Sequence, residues 1–230
     1  MSRSPIAAMF DRIAPSYDAL NHLLSLTVDK LWRRKTAKAV AQSQPKAILD
    51  IATGTADLAI TLAKRNPQAH IIGIDISEKM LDIGKSKVAK LGLDKQVELQ
   101  SGDAAALPFA DGSFDAVTVA FGVRNFEDLD NGLSEIHRVL KPCGRAFILE
   151  FSMPERFPVK QLYRLYFKHL LPFIGRTVSK DPSAYTYLPE SVERFPKPEA
   201  FIGLLSQHDL NKGTKKGLSF GIATLYIAER

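Results

Sequence analysis

The sequence has little of what stabilises secreted or membrane-spanning proteins. It contains one cysteine, Cys143, which excludes an internal disulfide and suits a reducing compartment. No run of apolar residues approaches the roughly 18 that a membrane-spanning helix needs. The N-terminal segment "MSRSPIAAMFDRIAPSYD" has no continuous apolar stretch of the kind found in signal peptides. We therefore expect a cytoplasmic protein.

The composition is that of an ordinary globular protein, but its charge is unevenly distributed. Apolar residues make up 45% and charged residues 24% of 230 residues, which is enough for one domain with an inserted lobe. The net charge of +6 is concentrated in residues 1–40 and in residues 156–180, and the second segment contains no acid. The rest of the chain is acidic. This distribution argues against a nucleic-acid-coating surface, so we expect no nucleic-acid partner.

Alternating strands and helices over residues 46–152 predict a doubly wound α/β fold. Nearly continuous apolar runs predict parallel strands covered on both faces. These runs are residues 47–52, 70–75, 97–102, 114–122 and 145–151. Helices are predicted at residues 57–64, 77–91 and 128–140, with Ser77 as an N-cap and Gly92 as a stop signal.

The ends of the chain depart from this alternation. Residues 1–40 predict a helical cap, and residues 153–195, rich in proline and aromatic residues, predict an insertion after the fifth strand. After a helix at 198–208, strands at 211–215 and 218–228 are predicted to form a hairpin that turns at Lys216-Gly217. A mostly parallel, seven-stranded, Rossmann-like sheet with this ending is typical of class I S-adenosylmethionine-dependent methyltransferases. It is unusual for a nicotinamide dehydrogenase.

The turn "LDIATGTADL" after the first strand lacks the glycines of a dinucleotide-binding G-x-G-x-x-G motif. Gly54 and Thr55 allow the backbone to approach a ligand closely, next to a helix N-terminus. Asp50 at the end of the strand would repel a pyrophosphate. It suits an ammonium group such as that of S-adenosylmethionine, either directly or through water.

Two further acids follow the next strands. Asp75 ends the second strand, where a carboxylate can accept hydrogen bonds from ribose hydroxyls, and Asp103 with Ala104 can bind an adenine. One such acid would be an ordinary solvated residue. Three at successive strand ends predict a site, because ligands of this architecture bind at the carboxyl ends of the strands. No cluster of histidine, cysteine and acids has the spacing of metal ligands, so we predict no metal.

Four segments resemble the UbiE-type C-methyltransferases of menaquinone and ubiquinone biosynthesis. They are "YDALNHLLSLTVDKLW" (17–32), "FGVRNF" (121–126), "RVLKPCGRAFILEFS" (138–152) and "SAYTYLPESVERFP" (183–196). The resemblance covers nearly the whole chain. The sequence departs from the family at Asp29, where many members have histidine, and at Ala56 and Cys143, which replace glycines.

The resemblance implies methylation of a ring carbon of a prenylated quinol, with S-adenosylmethionine as the methyl donor. It places Thr55, Asp75, Asp103, Ala104 and Ala120 at the donor, with Tyr17 closing over it from the N-terminal helix. It also implies that Arg124 lies at the substrate. The "VDKLWRRK" segment favours demethylmenaquinol. The alternatives are the equivalent benzoquinol step of ubiquinone biosynthesis, or a scaffold that has lost its activity.

The residues of "FGVRNF" suggest how a quinol could be activated. Arg124 can stabilise a phenolate by its charge, or it can close the loop by a salt bridge. Asn125 can bind the quinol oxygen or anchor the loop. Tyr185, Tyr187 and Asp181 of the insertion line the substrate cavity in one interpretation and belong to the core in another.

The insertion contains a basic amphipathic pattern. In "VKQLYRLYFKHLLPFIGR", Lys160, Arg164 and Lys168 recur every four residues beside an apolar face. The same pattern describes a helix packed over the core with a solvated face. Because a prenyl tail is apolar, we favour a substrate lobe that touches the inner face of the membrane transiently. The sequence allows a homodimer but does not decide the oligomeric state.

Overall fold

The computed structural model describes residues 5–25, 27–155, 157–165 and 183–230. Within these ranges, the side chains of residues 16, 19–24, 164, 183–186 and 188 are not described. Tyr166, Lys168 and Asp181 of the predicted insertion lie outside the described residues, as does the side chain of Tyr185.

Two helices precede a regular alternation of strands and helices. They are α1 (Pro5–Leu24) and α2 (Val28–Ala41). The alternating elements are β1 (Ala47–Ile51), α3 (Asp57–Arg65), β2 (His70–Asp75), α4 (Glu78–Lys90), β3 (Val97–Ser101), β4 (Phe114–Ala120), α5 (Leu129–Val139) and β5 (Leu140–Phe151). After β5 come α6 (Val159–Leu165), α7 (Ser183–Arg194), α8 (Pro198–Gln207), β6 (Asn211–Leu218) and β7 (Ala223–Glu229). The predicted α/β alternation is confirmed.

The predicted boundaries of α4 have a visible physical cause. Ser77 has an extended backbone, and its hydroxyl accepts a hydrogen bond from the Met80 N–H at 3.3 Å, so it caps the helix as predicted. After the helix, Gly92 adopts a left-handed φ of 65°, which is common for glycine and does not allow the right-handed helix to continue. The helix therefore begins and ends at residues that the sequence marks.

All the strands form one sheet in the order β3-β2-β1-β4-β5-β7-β6. The pairs β1·β2, β1·β4, β2·β3 and β4·β5 are parallel, and β7 is antiparallel to both β5 and β6. The predicted seven-stranded sheet with an antiparallel end is therefore confirmed. The strand order reverses between β1 and β4, and ligands of open α/β sheets bind beside such a reversal.

Apolar side chains alternate between the two faces of the sheet and form two cores. Ile48 of β1 and Phe147 of β5 point to the core beneath α2, α3 and α4. Leu49 and Ile148, the next residues on these strands, point to the core beneath α5 and α8. Burial on both faces explains why the parallel strands read as continuous apolar runs.

The predicted turn of the terminal hairpin is wrong. Lys216 and Gly217 lie within β6, paired with Leu225 and Thr224, and the chain turns at Ser219–Gly221 instead. The three turn residues have φ values of 44°, 61° and 91°. Two of the three are not glycine, so the usual signal for a left-handed turn is weak here.

The start of β5 was also predicted incorrectly. The strand begins at Leu140 rather than 145, and its register with β4 shifts between Phe114 and Ala116. Cys143 has a φ of 63° in this irregular stretch, and Ala56 has a φ of 65° in the loop before α3. Left-handed backbone favours glycine. This preference explains the glycines that the resembling family has at the positions of Ala56 and Cys143.

The described part of the insertion does not bury one regular face. Tyr163 of α6 is buried, but its apolar neighbours Leu162 and Leu165 are 62% and 60% exposed. No helix among the described residues is long and apolar enough to cross a membrane.

Candidate donor cleft and substrate turn

A cleft of about 820 Å³, counting its open mouth, lies at the carboxyl ends of β1, β2 and β4. Helix α1 contributes Ile6, Phe10 and Tyr17 to its lining. Seven of the ten predicted site residues line it, namely Tyr17, Gly54, Asp75, Asp103, Ala104, Ala120 and Asn125. The structure therefore brings together residues that are more than 100 positions apart in the sequence.

Asp75 fixes the loop after β1 to the start of α4. One carboxylate oxygen accepts a hydrogen bond from the Gly54 N–H at 2.8 Å, and the other accepts one from the Ser77 N–H at 2.9 Å. The side chain is buried, which raises the pKa of Asp75 above its usual value, while these N–H groups lower it. The Ile76 N–H also donates to the carboxylate and lowers its pKa. The two oxygens can accept about four hydrogen bonds, which leaves capacity for a ligand hydroxyl.

The lining of the cleft is acidic. Among the described residues that line it, the ionisable groups are the carboxyls of Asp75, Asp103, Glu127 and Asp128 together with the Tyr17 phenol, and none is lysine, arginine or histidine. Asp103 is exposed, and one of its oxygens accepts a hydrogen bond from the Ala105 N–H at 2.9 Å. Such a lining attracts a cation and repels a pyrophosphate, so it fits a sulfonium donor with an ammonium group.

Helix α1 is fastened over the cleft at two places. Asp11 accepts a hydrogen bond from the Ser77 hydroxyl at 2.6 Å. Two turns beyond, Asp18 accepts one from the Thr55 hydroxyl at 2.5 Å and pairs with Lys87 at 2.9 Å. Thr55 is thus placed in the fastening of α1 to the loop and does not line the cleft.

Asp50 lies beneath the loop rather than in the cleft. Its carboxylate accepts hydrogen bonds from the hydroxyls of Thr53 at 2.7 Å and Thr118 at 2.6 Å. The residue is 1% exposed, and it is not among the lining residues. The expectation that Asp50 contacts an ammonium group directly is therefore corrected: Asp50 supports the loop from below.

Replacing Asp50 by asparagine is expected to stabilise the protein near pH 7.5 and not at pH 4. Burial raises the pKa of Asp50 to about 6, although both threonine hydroxyls lower it. In the unfolded chain the pKa is near 3.8. The stability that this group contributes is therefore lost as the pH rises from about 4 to about 6, and the asparagine avoids a loss of about 3 kcal/mol.

Urea unfolding at the two pH values measures this difference. Asp115→Asn is the matched control, because the folded state stabilises the ionised form of Asp115 and destabilises that of Asp50. Partial burial raises the pKa of Asp115, but the hydrogen bonds from Lys141, Ala47 and Lys46 outweigh burial and lower it. We expect Asp115→Asn to destabilise the protein near pH 7.5. Equal effects of both variants would contradict this interpretation.

Arg124 occupies a buried salt bridge behind the cleft. Its guanidinium donates to Glu150 at 2.7 Å and to the Phe121 carbonyl at 2.6 Å, with a longer contact to the Ser191 hydroxyl at 3.3 Å. The side chains of Arg124 and Glu150 are 7% and 0% exposed. Of the two roles predicted for Arg124, the structure shows the loop-closing salt bridge, and Arg124 does not line the cleft.

Asn125 meets both the cleft and the insertion. Asn125 is a lining residue of the cleft, and its side-chain oxygen accepts a hydrogen bond from the Tyr187 hydroxyl of α7 at 2.9 Å. The Tyr187 and Ser191 side chains lie one helical turn apart and bind the adjacent residues Asn125 and Arg124. We call residues 121–125 the substrate turn, because it joins the cleft to the insertion.

Sequence reasoning missed Glu150, Phe10 and Met80. Glu150 could have been found from its place inside the apolar strand "RAFILEF". A carboxylate buried in such a strand needs a charged or hydrogen-bonding partner. Phe10 and Met80 line the cleft as apolar residues of α1 and α4. Their sequence pattern is that of any amphipathic helix, so it carried no signal for a site.

Residues 2–230 match the ubiE/COQ5 methyltransferase family. The chain is 47% identical over 225 residues to a demethylmenaquinone methyltransferase of Bacteroides fragilis, covering 98% of this chain and 92% of the relative. It is 46% identical over 222 residues to the Thermus thermophilus protein of that name, covering 96% and 100%. A ubiquinone/menaquinone biosynthesis C-methyltransferase UbiE of Geotalea uraniireducens is 45% identical over 226 residues, covering 98% and 96%.

Solved structures share the fold at low sequence identity. A SAM-dependent methyltransferase of Thermotoga maritima, described as a possible histamine N-methyltransferase, has a TM-score of 0.67 at 18% identity, covering 96% of this chain and 98% of that one. A putative S-adenosyl-L-methionine-dependent methyltransferase of Methanococcus maripaludis has a TM-score of 0.65 at 19% identity, covering 96% and 93%. The predicted Rossmann-like methyltransferase fold is confirmed.

Proposed function

The chain belongs to the ubiE/COQ5 methyltransferase family and is an S-adenosylmethionine-dependent methyltransferase, and from this premise we propose that it methylates a ring carbon of demethylmenaquinol. The substrate rests on the relatives that match over nearly the full chain and carry that name. The single structural observation that supports it is the acidic cleft joined by Asn125 to the insertion.

The cleft residues have distinct roles toward the donor, whose sulfonium supplies an electrophilic methyl group when bound. We assign the remaining acceptor capacity of the Asp75 carboxylate to the ribose hydroxyls, and Asp103 with the Ala104 N–H to the adenine. Tyr17 and Phe10 of α1 cover the cleft and exclude water. Gly54 and Ala120 let the backbone approach the ligand closely. Together they hold the methyl group in line with an acceptor carbon.

The substrate turn has the chemistry to increase the electron density of the quinol ring. A phenol has a pKa of about 10, so the site must stabilise the phenolate. The oxygen of Asn125 accepts from the Tyr187 hydroxyl, and one N–H of its amide group points to the Phe121 carbonyl at 3.5 Å. The second N–H is left to donate to a quinol oxygen. Arg124 cannot act as a base. Its charge is paired with that of Glu150, and its hydrogen bond to the Phe121 carbonyl fixes the turn that carries Asn125, which makes it a positioning residue.

Replacing Tyr187 by phenylalanine is expected to lower kcat/KM for the quinol about fivefold and to leave donor affinity unchanged. The ring stays in place, but Asn125 loses the hydrogen bond that orients its amide, which has a typical value of about 1 kcal/mol. Steady-state methyl transfer and donor titration measure the two quantities. Tyr226→Phe is the control, because the Tyr226 hydroxyl is buried in the core beneath α8. A weaker donor affinity in Tyr187→Phe would contradict the assignment.

Parallel turnover of two reduced quinols tests the substrate. We expect faster methylation of a demethylmenaquinol analogue than of a demethoxy-benzoquinol analogue with the same short tail. Equal or faster turnover of the benzoquinol would overturn the naphthoquinol assignment and leave the methyltransferase assignment standing.

Residues 153–195 form the proposed substrate lobe, which receives the prenyl tail, while residues 1–40 form the cap. We place the enzyme in the cytoplasm, at the inner face of the membrane when it takes up substrate. Exposed Leu162 and Leu165 beside Lys160 on α6 support this contact.

Charge reversal at Lys160, Arg164 and Lys168 is expected to lower co-sedimentation with anionic vesicles. Unchanged co-sedimentation would contradict it. Analytical ultracentrifugation of the same samples tests for a homodimer.

A further inference from the structure

We propose a membrane-docking edge outside the insertion, formed by Phe220, Leu31 and the exposed cations of α2. This inference rests on the proposed function, because an enzyme of soluble substrates would have no use for such an edge. Its occupant is a bilayer that contains anionic lipid. We call this surface the docking edge.

Phe220, at the tip of the β6–β7 turn, is unfavourable there both in its exposure to solvent and in its backbone conformation. Its side chain is 82% exposed, so its apolar surface gains nothing from folding. Its backbone is left-handed, with φ 61° and ψ 23°, which is unfavourable for a residue with a bulky side chain. Asparagine or glycine would fit this position better. A phenylalanine at this position is explained if its ring is buried in the acyl region of a membrane.

Leu31 belongs to the turn of α2 that is tied to the β6–β7 turn. Trp32, its neighbour on α2, donates a hydrogen bond from its indole N–H to the Ser219 hydroxyl at 2.9 Å. Leu31 itself is 52% exposed. On its other side, the turn is tied to the residue after β5, because the Ser152 hydroxyl donates to the Gly221 carbonyl at 2.9 Å.

The exposed side of α2 is positively charged. Arg34, Lys35 and Lys38 follow Leu31 at positions i+3, i+4 and i+7, which places them along one face of the helix, and all are exposed. In the described part of the chain, no salt bridge joins these three cations to a carboxylate. Asp29, the acid of this helix, is buried and paired with Arg33.

The positive charge of α2 indicates which partner binds the docking edge. A basic stripe beside exposed apolar side chains matches the headgroups and acyl boundary of an anionic membrane. A second copy of the chain on a two-fold axis would set the same cations against each other, which is unfavourable.

Trp32, which ties α2 to the β6–β7 turn, also connects the docking edge to the donor cleft. The Trp32 ring centroid is 6.0 Å from that of Phe121, a lining residue of the cleft, and Phe121 is 4.5 Å from Phe151. Binding of this edge to a bilayer would bring the cleft close to the lipid that contains a prenylated substrate.

The test compares vesicle co-sedimentation of the full chain, the Phe220→Asn/Leu31→Gln double variant, and Leu91→Gln. Asparagine tolerates left-handed backbone, and glutamine is a good helix former, so the double variant is expected to fold. Leu91 is the matched control, since it is 49% exposed at the end of α4. Vesicles of phosphatidylcholine are used with and without phosphatidylglycerol. Thermal unfolding and methyl transfer to a short-chain quinol are measured alongside.

We expect the double variant to bind anionic vesicles roughly tenfold or more weakly than wild type. Leu91→Gln should bind like wild type, and neutral vesicles should bind every protein weakly. Wild-type binding by the double variant, an equal loss in Leu91→Gln, or no binding by wild type would overturn the docking edge. So would a dimer of wild type that the double variant dissociates. Failure to methylate the short-chain quinol would instead overturn the proposed function, whatever the vesicles show.

Discussion

Replacing Asp75 by asparagine is expected to weaken S-adenosylmethionine binding about 100-fold or more. The carboxylate accepts hydrogen bonds from two backbone N–H groups, those of Gly54 and Ser77. Asparagine has one acceptor oxygen, so its NH₂ group must face one of these donors. Each hydrogen bond to a charged group has a typical value of about 1.5–3 kcal/mol, and a loss of about 3 kcal/mol is a factor of more than 100 in affinity.

The loss arises in the cleft rather than in the core. Without the carboxylate, the loop after β1 is no longer fixed to the start of α4, and the acidic lining loses a charge that attracts the cationic donor. Isothermal titration calorimetry measures the affinity, with thermal unfolding as a check on folding. Asp82→Asn, on the exposed side of α4, removes the same charge away from the cleft and should bind normally. Binding by Asp75→Asn within threefold of wild type would exclude Asp75 from the site.

Replacing Arg124 by alanine is expected to destabilise the fold by about 3–5 kcal/mol, because it leaves the fully buried Glu150 without its countercharge. Glu150→Ala should have a similar effect, since it leaves Arg124 unpaired. Chemical unfolding measures both. A double variant, Arg124→Met with Glu150→Leu, should recover a large part of the loss, because apolar residues of similar volume replace the buried pair.

Arg145→Ala is the matched control for this prediction. Arg145 lies on the same strand as Glu150, but its salt bridge with Glu229 is longer, at 3.4 Å, and its side chain is 46% exposed. We expect a much smaller loss of stability there. If Arg124→Ala unfolds like wild type and yet loses all turnover, the structural role assigned to Arg124 is wrong, and the residue acts directly on the substrate.

The fold could be predicted from the sequence where its cause is local. Burial on both faces of a parallel sheet leaves continuous apolar runs, and Ser77 and Gly92 mark the ends of α4 by their own chemistry. The hairpin turn could not be predicted, because Ser219 and Phe220 take left-handed conformations that their residue types disfavour. Strand pairing over β6 and β7 decides that turn.

The site could be predicted where acids follow strands, and not where its contacts join distant parts of the chain. Asp75 and Asp103 line the cleft because strand ends meet at one edge of the sheet. Asp50 has the same sequence signal, but two threonine hydroxyls hold it beneath the loop. The partners of Arg124 and Asn125 lie 26 and 62 positions away, on β5 and α7. No local pattern links them.

Transfer of a ¹³C-labelled methyl group from S-adenosylmethionine to reduced demethylmenaquinol tests the central claim most directly. The position of the label in the product is read by nuclear magnetic resonance. We predict a methyl group bonded to a ring carbon, formed with the reduced quinol and not with the oxidised quinone, because only the quinol has a hydroxyl that can ionise and activate the ring. Label on an oxygen, or no transfer to the quinol by a protein that binds the donor tightly, would contradict the account.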